Sequence, residues 1–173
     1  MSDAAQTTAI RERSRFTSGG CDNYTGVGRI IGFDVGERRI GVAVSDLTGM
    51  LARPLTTLRT SGFDGNALQV TLAEITRIAA DDPLDAVVVG LPRRLDGSPN
   101  ALTPRVERFA ERLRARVTVA VILQDERLTS VEAESRLAER EKNWRARKEQ
   151  LDAAAAAIIL QAYLDRDARQ VDP

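Results

Sequence analysis

Four carboxylates stand where chemistry could be done. Asp34 lies in the run Ile31-Gly32-Phe33-Asp34-Val35-Gly36, Asp125 and Glu126 come shortly after an apolar run, and Asp152 precedes five alanines. The chain has no histidine. That excludes imidazole acid–base catalysis, Ser-His-Asp and Cys-His nucleophiles, and His-ligated zinc. Cys21 is the single cysteine, so an internal disulfide and a cysteine-rich zinc site are excluded as well. Carboxylates without histidine suit hard divalent cations such as Mg²⁺ or Mn²⁺. Two such ions could activate water and stabilise the leaving oxygen in phosphodiester cleavage. Each acid also has a plainer reading. Asp34 could be satisfied by turn amides, Asp125-Glu126-Arg127 could be a charged strand-to-helix loop, and Asp152 could sit at a helix's solvent edge or beside a cation.

Whether the acids meet depends on the elements that carry them. Alternation predicts strands over Arg29–Val35, Arg39–Val44 and Ala52–Leu58, joined by the turns at Gly36 and at Asp46-Leu47-Thr48-Gly49. Short turns between three strands imply an antiparallel meander. Leu68, Leu72, Ile75 and Ala79 recur at helical spacing over 67–80, with Asp64 or Asn66 as the cap. Asp85–Leu91 reads as a buried strand, and Thr103-Pro104 as an N-cap and first helical residue. Val117–Leu123 is the fifth strand, Thr129-Ser130-Val131-Glu132 opens a charged helix, and a last helix runs from about Glu149 to Asp165. The expected fold is α/β, a mixed five-stranded sheet with helices on both faces. If the first and fifth strands are central, Asp34, Glu126 and Asp152 can converge. Glycines on either side of Asp34 would leave room for a substrate or ion to approach it.

The chain has 173 residues, enough for one domain. Residues 1–28 read as a flexible tail, 29–167 as the compact domain and 168–173 as a second tail. No apolar run is long enough to span a membrane, and no signal pattern opens the chain, so a cytoplasmic protein is expected. Formal net charge is zero, with 25 basic and 25 acidic residues. Lys142 and Lys148 are the only lysines, so 23 of those 25 basic residues are arginine, the residue suited to bidentate phosphate contacts. The plainer account is a general preference for arginine. Arg93-Arg94, leaving the central strand in a tight loop, could meet a phosphate. Trp144, among basic residues, could stack on a base or simply anchor a helix end.

These residues together resemble the YqgF/RuvX family, whose members carry the names Holliday junction resolvase and pre-16S rRNA nuclease, in the RNase H-like superfamily. The likeness rests on Gly32-Phe33-Asp34-Val35-Gly36-Glu37-Arg38-Arg39-Ile40-Gly41-Val42-Ala43-Val44-Ser45-Asp46, on Val89-Gly90-Leu91-Pro92, and on Asp96-Gly97-Ser98. It continues in Asp125-Glu126-Arg127-Leu128-Thr129-Ser130-Val131-Glu132-Ala133 and in Leu151-Asp152-Ala153-Ala154-Ala155. Two features depart from the family pattern: Arg38-Arg39 replaces Lys-Arg, and the loop after Ser98 lacks a glycine.

The resemblance implies a metal triad of Asp34, Glu126 and Asp152, with Asp125 as the alternate, and Mg²⁺ or Mn²⁺ as cofactor. It implies an RNase H-like fold and nuclease action on the 5′ region of precursor 16S rRNA. A four-way DNA junction is the alternative substrate, for which symmetric cutting would need a homodimer. A non-catalytic nucleic-acid-binding module is the alternative from another class. Arg38, Arg39, Arg93, Arg94 and Arg127 are expected to ring the acids and hold phosphates. No membrane partner is expected.

Overall fold

The computed structural model describes residues 28–126 and 144–168. Residues 1–27 of the expected N-terminal tail, 169–173 of the second tail, Arg127 and the helix opening at Thr129 lie outside them. Gly28, expected in the tail, is buried, with its N–H donating to Asp85 Oδ2 at 3.0 Å.

Five strands form one mixed sheet: β1 (Arg29–Val35), β2 (Arg39–Ser45), β3 (Ala52–Arg59), β4 (Leu84–Leu91) and β5 (Ala120–Asp125). They lie in the order β3-β2-β1-β4-β5. The meander pairs antiparallel, whereas β4 runs parallel to both β1 and β5. This is the expected mixed five-stranded sheet, with β1 at its centre; β5 lies at an edge, not near the centre, and only its end approaches β1 across β4. Helices α1 (Ala67–Asp81) and α2 (Thr103–Arg114) cover one face, and α3 (Trp144–Ala168) covers the other. Among the described residues, no helix is long and apolar enough to cross a membrane.

Strand alternation divides the apolar residues between two cores. Ile31, Phe33 and Val35 of β1 join Val87 and Val89 of β4, Phe109 and Leu113 of α2, and Ile75 of α1. Ile30, Val88 and Ala43 meet Ala156, Ile159 and Leu160 of α3 on the opposite face. Ile159 and Leu160 are almost wholly buried, each worth ~1.5–3 kcal/mol of apolar transfer.

Three local expectations shift. β5 begins at Ala120, not Val117, because Val117 N–H still donates to Leu113 O at the end of α2. Thr103 is the first residue of α2, not its cap: Leu102 holds the cap, and Thr103 Oγ1 accepts from Asn100 N at 2.8 Å. The last helix is already formed at Trp144, ahead of the expected start at Glu149. Asn66 does cap α1 by position, but its Oδ1 accepts from Ser61 N instead of from the helix.

Candidate active site

Asp34, Glu126 and Asp152 lie near the C-terminal end of β1, on the face that α3 covers. Asp34 pairs in register with Gly41 of β2. One step beyond the last parallel pair, Phe33–Val89, Asp34 comes alongside Gly90 of β4. Gly90 in turn pairs with Gln124 of β5. One row across the sheet therefore reads Gly41, Asp34, Gly90, Gln124.

The two glycines of this row make the site. A Cβ on Gly41 would collide with the backbone carbonyl of Asp152, so glycine there lets α3 press onto β2 and brings Asp152 to the row. A Cβ on Gly90 would collide with Oε1 of Glu126, so glycine there makes the berth in which the Glu126 carboxyl lies. The glycines flanking Asp34 along its own strand do not open space for a substrate, contrary to expectation. A Cβ on Gly32 would lie 2.8 Å from Leu160 Cβ and 3.2 Å from Ala156 O, because α3 occupies that space. Gly36 closes the hairpin, its N–H donating to Arg39 O at 2.9 Å.

The electrostatics link the acids through Asp34. Asp34 retains some solvent exposure, yet protein packs so closely around its carboxyl that burial, followed by repulsion from Asp152, raises its pKa to about 6. Burial, then Asp34, then Asp125 push Glu126 up to about 8. Asp125 precedes Glu126 by one residue, so alternation turns it toward the other face. Asp152 is held beside a cation: its Oδ2 lies 2.6 Å from Nε of Arg39. That contact is an ion pair without the alignment of a hydrogen bond.

Among the described residues, no three acidic, His or Cys side chains are gathered at metal-binding distance. Glu126 lies over Gly90 and Asp152 is drawn to Arg39. The residues nonetheless suit a hard divalent cation in chemistry. All the candidate donors are carboxylate oxygens, and two of them are packed against like charge that a cation would neutralise.

The arginines divide. Arg93 donates from Nη1 to Gly97 O at 3.1 Å and so braces its own loop, while Arg94 is exposed beside it. Gly97, at φ 87°, makes the turn of that loop. Arg38 is exposed on the β1–β2 turn. Ser45 and Asp46 have structural roles: Ser45 Oγ accepts from Ile30 N at 2.9 Å, and Asp46 braces the β2–β3 turn.

Gln124 is a residue that the sequence does not single out. It is buried, and its Oε1 has no hydrogen-bond partner among the described residues. The available signal is a polar residue two before Glu126, on the inward face shared with Ile122.

Comparison with known proteins adds an independent line. Residues 28–166 match the family model described as "RuvX: Holliday junction resolvase". A protein of Thermoanaerobacter pseudethanolicus named "Putative pre-16S rRNA nuclease" is 41% identical over 138 residues, 79% of this chain and 96% of that one. One of the same name from Chloroflexus aggregans is 43% identical over 136 residues, 79% of this chain and 92% of that one. Among solved structures, Thermus thermophilus RuvC in complex with a Holliday junction substrate aligns at TM-score 0.44 and 18% identity, over 80% of this chain and 94% of that chain.

Proposed function

The chain belongs to the RuvX family, and from that membership together with the acids around β1 we propose a metal-dependent endonuclease acting on structured nucleic acid in the cytoplasm. Its substrate is the 5′ region of precursor 16S rRNA, the molecule for which its relatives are named. The observation that carries the reading is the pair Asp34, on β1, and Glu126, just past β5. Both are held above the usual carboxylate range by close packing, and the charge of Asp34 raises Glu126 further. Holding like charges together costs stability, and such costs concentrate at functional sites.

Asp34, Glu126 and Asp152 would hold Mg²⁺ or Mn²⁺, with Asp125 close behind Glu126. When bound, the ions supply activation of water and charge stabilisation for the departing oxygen. The chain's own residues set the conditions. Asp34 is fixed by its place in the central strand. Glu126, pushed up to about 8, would hold a proton at neutral pH. Arg39 neutralises Asp152. Arg94 and Arg127 flank the acids in sequence order and would meet the backbone phosphates.

A second reading, cutting of four-way DNA junctions, is favoured by the description of the family model. It would require a homodimer to present paired sites. The test is to map cut sites on precursor 16S rRNA and on a four-way junction with one preparation, in Mg²⁺ or Mn²⁺. Asp34→Asn should lower cleavage by ~10³ or more, while binding without metal persists. No metal-stimulated cleavage of either substrate, with Asp34→Asn behaving as wild type, would leave a non-catalytic binding module.

A further inference from the structure

A neutral chain that binds a polyanion must gather its positive charge somewhere. Beside the acids, toward the β3 edge of the sheet, a cleft of about 630 Å³ opens between the β1–β2 turn, the end of β3 and the start of α2. Its wall carries Arg38, Arg39, Arg59 and Arg105 against a single carboxylate, Glu37. Glu37 is ion-paired with Arg105. Arg39 and Arg59 are cross-strand partners, so the register of β2 with β3 brings two guanidinium groups to the same end of the sheet. Gly62, at φ 111°, turns the chain beyond β3 and helps shape the wall, while Thr60 N–H is tied to Arg38 O at 3.1 Å.

Arg39 belongs to both places: it lines the cleft and touches Asp152. The Arg93-Arg94 loop leaves β4 on the other side of Asp34. A strand crossing this edge of the sheet would thus meet guanidinium groups before and after the acids. We propose that the cleft of Arg38, Arg39, Arg59 and Arg105 is a subsite for a nucleic-acid backbone phosphate, adjacent to the position cut. The volume is that of a ligand site, and arginine forks match phosphate oxygens. This subsite rests on the nuclease reading, which it extends by adding Arg59 and Arg105 to the substrate-binding residues.

The test is binding of a labelled 12-nucleotide single-stranded RNA in EDTA, followed by fluorescence anisotropy from low to high KCl. Arg38→Gln combined with Arg59→Gln should reduce the slope of log affinity against log salt by about 0.7, the change for one single-strand phosphate no longer neutralised. Arg38→Lys with Arg59→Lys should restore most of the slope, which separates charge from folding. Arg53→Gln with Arg116→Gln, an equal charge change at exposed positions outside the cleft, should leave it unchanged. Equal slopes for the two glutamine doubles would overturn the subsite, even with cleavage by the wild type intact. The expected slope difference in a protein that cleaves nothing would uphold the subsite and reject the nuclease reading.

Discussion

Asp34→Asn should make the protein more stable while removing its activity. Folding raises the Asp34 pKa from 3.8 to about 6. About two units at 1.36 kcal/mol each is about 3 kcal/mol of native-state penalty on the charged form. The sign is opposite to that of a salt-bridged carboxylate. The folded state holds the proton more tightly, so this group favours folding most below its unfolded pKa and loses that advantage as pH rises from about 4 to about 6. Glu126 extends the loss toward pH 8. Asparagine has the same shape without the charge, but its amide needs new partners, so a net gain of about 1–3 kcal/mol is expected at pH 8. For a domain of this size that is a rise in Tm of about 3–8 °C. Thermal melts of wild type and variant in EDTA at pH 8 and pH 4 test it: the gain should be present at pH 8 and vanish at pH 4. Mn²⁺ should then raise the wild-type Tm more than the variant's. A variant less stable at pH 8, or a gain equal at both pH values, refutes the claim that Asp34 is held charged against its surroundings.

The remaining expectations concern the neighbours of Asp34. Gly41→Ala should cost about 3 kcal/mol or more in chemical denaturation, because its Cβ meets backbone and α3 must move. Gly90→Ala should cost less stability, since its main obstacle is the end of the Glu126 side chain, yet lower cleavage about 10²-fold by displacing that carboxyl. Arg93→Ala with Arg94→Ala should reduce the salt slope of binding by roughly one for each phosphate the loop neutralises in the wild type, and an unchanged slope would show that the loop does not touch the backbone. Gln124→Met removes an Oε1 that has no hydrogen-bond partner among the described residues and should hold or raise stability by about 1 kcal/mol; a loss larger than that in urea melts would show that this oxygen has a partner.

The meander, the parallel strands and the helices on both faces were legible because each rests on periodicity or on turn residues. Arg29–Val35 alternates well enough to read as a strand and lies in the sheet as expected. The start of β5 was not, because Val117 and Val119 suit a strand as well as the close of a helix turn, and only the hydrogen bond to Leu113 decides. The candidate acids were legible as types, since the absence of histidine left carboxylates to do the work. What surrounds them was not. That Gly41 and Gly90, and not Gly32 and Gly36, make room at Asp34 depends on register between strands. That Arg39 answers Asp152 depends on how α3 lies across β2. Neither is written in local spacing.

Helix α3 has a consequence for how the protein comes into being. It supplies Asp152 and, through Ala156, Ile159, Leu160, Tyr163 and Leu164, the cover for one entire sheet face. A chain growing on the ribosome that has not yet emitted this helix has Asp34 on a bare sheet, without Asp152 beside it. Covering that sheet face and bringing Asp152 to the row of Asp34 both depend on the docking of α3. A half-made copy is therefore a chain with an uncovered apolar face.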